Sequence, residues 1–167
     1  MEIWMDPHTW GIVFAFAAAA VAAIMPGIAS SKAVGFAGET AAGVCAENPE
    51  VSSKMTILQL LPATQGIYGF LIAILILIKT GIIGGNPSEA LNMSNGLQLL
   101  VGALPIALVG YFSAIKQGKT ACAGMLLTGK RPEMSGKAIM MTSMVETYAI
   151  LAFVISFIAT FLGVNLG

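Results

Sequence analysis

Charge is what this sequence has least of. Its 167 residues include eight Lys and Arg, eight Asp and Glu and one His; charged residues make up 10% and the net charge is zero. A water-soluble domain of this size carries about 25% charged residues. A soluble fold is therefore excluded, and so is the basic surface that a nucleic-acid partner needs. Cysteine is also scarce. Cys45 and Cys122 lie at no metal-type spacing and read as free thiols rather than a disulfide framework. The stretch from Met1 to Thr9 holds Glu2 and Asp6 but no Lys or Arg, so no cleavable signal peptide is expected there. No phosphate loop, nucleophile triad or metal cluster is found, which leaves the chain no covalent chemistry of its own.

What is present is apolar. Hydrophobic residues reach 57% and the mean hydropathy is +0.87. Four apolar runs stand out, at about residues 10–34, 55–78, 97–115 (with a small-residue pattern continuing towards 127) and 138–164. Each reaches or approaches the roughly 20 residues that span a hydrocarbon core. In lipid the backbone must satisfy its own hydrogen bonds, so these runs are helices. The connections carry breakers: Glu47-Asn48-Pro49-Glu50, Gly84-Gly85-Asn86-Pro87-Ser88 and Gly129-Lys130-Arg131-Pro132-Glu133. The expected fold is an all-α membrane protein with four transmembrane helices.

The two halves repeat each other. At one constant offset Gly27 matches Gly110, Ser30 matches Ser113, Gly35 matches Gly118 and Pro49-Glu50 matches Pro132-Glu133; in the return helices Gln65 matches Glu146. This is a duplicated helical hairpin, with a first hairpin at 1–80, a connecting loop at 81–96 and a second hairpin at 97–167. Of the eight basic residues, all but Lys79 lie at or near the first and third connections. By the positive-inside rule those connections face the cytoplasm, and both termini and the connecting loop face outward. Trp4 and Trp10 then fit an outer interfacial belt, and the lone His8 reads as an interface residue. Small residues recur on the first helix (Gly27, Ser31, Gly35, Gly38) and the third (Gly110, Ala114, Gly118). Such stripes suit close helix packing, either inside one four-helix unit or in an inner ring made by several copies.

Glu146 is the most informative residue. It is the only acid inside any of the four runs, and a carboxylate at that depth is costly unless neutralised or coordinated. On the second helix Leu61, Thr64, Gln65 and Tyr68 share one face, three of them polar, just beyond the helix-breaking Pro62. Gln117 and Glu146 lie equally far from the Arg131-Pro132 turn, so the hairpin puts them at one depth, and Gln65 aligns with Glu146 across the repeat. Thr64, Gln65, Gln117 and Glu146 can therefore converge at one level. One carboxylate with neutral oxygen donors suits a hard monovalent cation, Na⁺ by size and charge; a proton needs only the carboxyl group.

The segments Leu61-Pro62-Ala63-Thr64-Gln65-Gly66-Ile67-Tyr68-Gly69-Phe70, Gln117-Gly118-Lys119 and Met144-Val145-Glu146-Thr147-Tyr148-Ala149-Ile150 resemble the rotor-ring proteolipids, the c-type K subunits, of bacterial V-type sodium ATPases. The resemblance covers essentially the whole chain. It implies a homo-oligomeric rotor ring in the cell membrane, with one Na⁺ per protomer held by the Leu61 carbonyl, Thr64, Gln65, Gln117 and Glu146, and with Tyr68 steadying the carboxylate. It implies a subunit non-catalytic by itself, working with central-stalk subunits and with a stator membrane subunit that carries a basic residue. Gln65 stands where an unduplicated rotor subunit would hold an acid, which halves the carboxylates for a given number of helices and suits a pump. Two other readings stay open: the same rotor carrying H⁺, and a small four-helix exporter of cations, which would want an aromatic cavity that a chain with 8% aromatics hardly provides.

Overall fold

The computed structural model describes residues 6–166, and the regular elements among them are all helical. Trp4 lies outside the described residues. Helix α1 runs Pro7–Glu47, α2 Ser52–Leu60, α3 Thr64–Lys79, α4 Met93–Lys130 and α5 Ser135–Phe157, the last continuing into a π-helical turn at Ile158–Leu162. A 3-10 turn at Leu61–Ala63 joins α2 to α3 in one rod, Pro49–Lys79. Among the described residues four helical rods are long and apolar enough to cross a membrane, as the apolar runs require.

The rods begin and end where the chain chemistry says. The Asp6 side chain accepts from the His8 N–H, and Pro7, with no N–H to lose, occupies the first turn of α1. Asn92 caps α4 through the Asn95 N–H. That cap starts α4 at Met93, so the helix takes the last four positions expected for the connecting loop. α1 and α4 also outrun their apolar segments. At 41 and 38 residues they are each about 60 Å long, against a hydrocarbon slab of about 30 Å. Apolar length measures lipid thickness, whereas a helix stops only at a breaker, here Asn48-Pro49 and Arg131-Pro132.

The repeat is visible in the backbone. Asn48 ends α1 at φ −139°, ψ 85°, and Arg131 ends α4 at φ −139°, ψ 84°. Each donates its N–H back to the helix, Asn48 to Val44 at 2.9 Å and Arg131 to Leu127 at 2.8 Å. Each is followed by a proline and a 3-10 turn, Pro49–Val51 and Pro132–Met134. The start of α2 also holds the second turn, since Lys54 Nζ donates to the Pro132 carbonyl at 2.9 Å.

α1 and α4 make the most extensive contact in the molecule, followed by α4 with α5 and α1 with α3; α3 and α5 touch less. The α1 face in that contact is mostly alanine (Ala15, Ala18, Ala22, Ala29, Ala33, Ala37), all with no exposed surface. Small side chains let backbones approach in lipid, where packing replaces the hydrophobic effect. On α4, Gly110 lies against Pro26, and Gly118 against Ala33 and the Phe36 ring. The matching glycines of α1 differ: nothing lies within 4 Å of where a side chain at Gly27 or Gly35 would start, and Gly38 meets only the Gln59 amide. At the connector end Ser88 is a hub. Its N–H donates to the Thr80 carbonyl, its hydroxyl to Leu166, and its own carbonyl lies 3.1 Å from His8 Nε2. His8 thus ties α1 to the connector. Trp10 packs on Phe14 with ring centroids 6.0 Å apart.

Candidate functional site

The site starts with a proline. Pro62 has no N–H for the carbonyl one turn back, and the rod tightens there into the 3-10 turn. The turn sets the Leu61 carbonyl 3.1 Å from the Thr64 hydroxyl, which donates to it. α3 resumes at once and carries Gln65, fully buried, and Tyr68, half-buried, towards the interior. α4 brings Gln117, also fully buried, and α5 brings Glu146, half-buried.

These side chains form one connected line. The Thr64 hydroxyl lies 3.4 Å from Gln65 Oε1. Gln65 Nε2 donates to Gln117 Oε1, and Gln117 Nε2 reaches Glu146 Oε2 at 3.5 Å. From the other side Tyr68 donates its hydroxyl to Glu146 Oε1 at 2.6 Å. The Gln117 contact is at the outer limit of a hydrogen bond, so Tyr68 is the tight partner of the carboxylate. The Tyr68 ring is itself held against Phe153, with centroids 5.6 Å apart. All six residues singled out in the sequence meet here, Leu61 through its backbone oxygen, which accepts from Thr64.

One member was missed. Ser113 on α4 accepts from Gln65 Nε2 at 3.3 Å and donates to the Val145 carbonyl at 3.0 Å. The signal for it was its match to Ser30, which in the first half accepts the Gly66 N–H at 2.9 Å. Each serine joins the outgoing helix of its hairpin to the return helix beside the key position.

The donor set is one carboxylate among neutral oxygens. No group of three His, Cys, Asp or Glu occurs among the described residues, so the charge this site can balance is one. An amide oxygen has two lone pairs, so Gln117 Oε1 can accept from Gln65 and still face a cation. No buried side-chain nitrogen or oxygen among the described residues lacks a partner.

A duplicated membrane hairpin with a single carboxylate among buried amides and hydroxyls defines an ion-handling proteolipid. The chain belongs to the ATP synthase C-subunit family, whose model matches it twice, over residues 17–76 and 100–159. Those two matches are the two hairpins. The V-type sodium ATPase subunit K of Enterococcus hirae is 49% identical over 158 residues, covering 95% of this chain and 97% of the relative. The A-type ATP synthase subunit K of Methanocaldococcus jannaschii is 34% identical over 152 residues, covering 91% of this chain and 62% of that one.

Proposed function

We propose that the chain is the ion-carrying rotor subunit of a rotary V-type ATPase and that the ion is Na⁺. The observation that carries this is the connected line Leu61–Thr64–Gln65–Gln117–Glu146–Tyr68, which strings four neutral oxygens and one acid together. The near full-length similarity to a subunit named for sodium supports the choice of ion. Glu146 supplies the charge; Leu61, Thr64, Gln65 and Gln117 replace the hydration shell; Tyr68 keeps the carboxylate turned inward.

Copies of the chain form a ring, packed through the open Gly27 and Gly35 face of α1. Both termini and the connector face outward, and the two short turns face the cytoplasm and the central stalk. ATP hydrolysis belongs to other subunits of the complex. The mechanism is electrostatic. Glu146 neutralised by its ion can pass the apolar lipid as the ring turns, whereas ionised and empty it cannot. A basic residue on the stator stabilises the empty carboxylate and so draws the ion off towards one side.

Carbodiimide labelling of Glu146 in the purified assembly tests the reading. Na⁺ slows labelling if the oxygens hold the metal. If pH alone controls the rate, the rotor carries protons and the amides are scaffolding. Migration as a monomer or dimer in mild detergent would favour a small exporter over a ring.

A further inference from the structure

Ser113 stands behind the network and is not among the oxygens proposed to hold the ion. It is 6% exposed, and its hydroxyl touches two return helices at once, Gln65 on α3 and the Val145 carbonyl on α5, one residue before Glu146. A hydroxyl has one proton to give and otherwise only accepts. Here the proton goes to Val145 at 3.0 Å. Towards Gln65, at 3.3 Å, Ser113 can therefore offer only an acceptor. Gln117 Oε1 offers Gln65 a second acceptor. Two acceptors on one side of a primary amide select its NH₂ group, which has two protons. The oxygen of Gln65 must then point the other way, to Thr64, where it is found. A reversed amide would set its oxygen against two acceptors and place NH₂ among the proposed ion ligands.

We infer that Ser113 is a positioning residue that locks the Gln65 amide with its oxygen towards the ion and so favours Na⁺ over H⁺. This rests on the ligand set proposed above. A proton on Glu146 needs no oxygen from Gln65, whereas Na⁺ does, so the lock acts on one ion and not the other. The equivalent serine of the first hairpin cannot do this, because Ser30 faces a backbone N–H.

The test uses the full-length protein in its assembly and measures the Na⁺ concentration that halves carbodiimide labelling of Glu146. The Na⁺-free rate is followed over pH in parallel. Outer-shell partners of a metal ligand are worth about 10–100-fold in affinity, so Ser113→Ala is expected to raise the half-protecting Na⁺ concentration by about that factor while leaving the Na⁺-free pH profile in place. Ser113→Thr keeps the hydroxyl and is expected to behave as wild type. Ser156→Ala removes another helix-joining hydroxyl, the one that accepts the Ile106 N–H, and is expected to leave Na⁺ protection unchanged. Wild-type protection in Ser113→Ala overturns the inference and leaves the ligand set standing. A pH profile displaced together with Na⁺ also overturns it, since that is general loosening. Absence of Na⁺ protection in the wild type sinks the ligand set instead. Should the alanine ring not assemble, Ser113→Cys, similar in volume but a poor acceptor, takes its place: weaker protection than Ser113→Thr upholds the inference and equal protection refutes it.

Discussion

Gly69→Ala is the sharpest perturbation the packing offers, because its size can be read from the backbone. Pro26 interrupts α1 and leaves the Ala22 carbonyl without its helical donor. Gly69 lets α3 close over that spot. A Cβ at Gly69 would sit 2.2 Å from the Ala22 oxygen and 2.3 Å from Pro26 Cγ. One is main chain and the other a proline ring, so neither can swing away. Restoring van der Waals separation moves α3 off α1 by about 1 Å. Gln65 lies one turn before Gly69 on the same face of α3, so the shift is delivered to the ion site. Gln117 already reaches Glu146 at only 3.5 Å and has no slack to follow. Loss of one contact to a charged partner is worth about 1.5 kcal/mol, or about tenfold in affinity. Overpacking itself destabilises by about 1–3 kcal/mol. Two other glycines grade the effect. At Gly66 the new Cβ meets the Ser30 side chain at 3.2 Å, a mild crowding, and at Gly136 it meets nothing. The expected order of lost Na⁺ protection and lowered melting temperature is Gly69→Ala, then Gly66→Ala, then Gly136→Ala, the last equal to wild type. If Gly69→Ala and Gly136→Ala behave alike, α3 does not bear on α1 as described.

Glu146→Gln keeps the shape of the site and removes its charge, so Na⁺ transport by the assembled complex is expected to fall to background in a vesicle uptake assay. Gly35→Leu puts a large side chain into open space on α1; helix content by circular dichroism should hold while the ring band on a native gel disappears. Asp6 is held below its ordinary value, first by the His8 N–H and then by Thr9. A carboxyl lowered in the folded state contributes its stability above its unfolded value and loses it as pH falls through the folded one. Protection of the first turn of α1, read by hydrogen exchange corrected for intrinsic rates, should therefore be constant at neutral pH and drop in acid below about pH 4, and Asp6→Ala should abolish it at every pH.

The four helices and the turns between the hairpins' arms were legible in the sequence because lipid leaves the backbone one solution and because Asn48-Pro49 and Arg131-Pro132 are unambiguous stops. The lengths of α1 and α4 were not. Their apolar runs end near Val34 and Ile115, but alanine, glycine and isolated charges continue a helix well enough beyond the bilayer. Five of the residues that meet here were legible because polar groups in an apolar run have few reasons to exist, whereas the part of the Leu61 carbonyl was implied only by the family resemblance. Ser113 was not legible, since a serine in a small-residue stripe looks like packing. Only the direction of its two hydrogen bonds reveals a further role. The empty face of α1 was equally hidden. The stripes on α1 and α4 look alike in sequence, yet one is filled inside the protomer and the other is not.

The asymmetry between the return helices is sharpest at the site. The turns agree to within a degree in the backbone angles of Asn48 and Arg131, and the two return rods are both 31 residues long. At the corresponding positions, however, Leu61, Thr64, Gln65 and Tyr68 stand against Thr142, Val145, Glu146 and Ala149. The first hairpin keeps Leu61, Thr64, Gln65 and the phenol, and the second keeps the charge together with the Gln117 amide. Neither half could make this site by pairing with a copy of itself: two first halves would have no carboxylate, and two second halves would keep Glu146 and Gln117 but set them against Val145 and Ala149, without Thr64, Gln65 or the Tyr68 phenol. Duplication into one chain is what permits the division of labour. It fixes one carboxylate to every four helices, and in the ring proposed here it sets the number of ions moved per turn by sequence rather than by ring size alone.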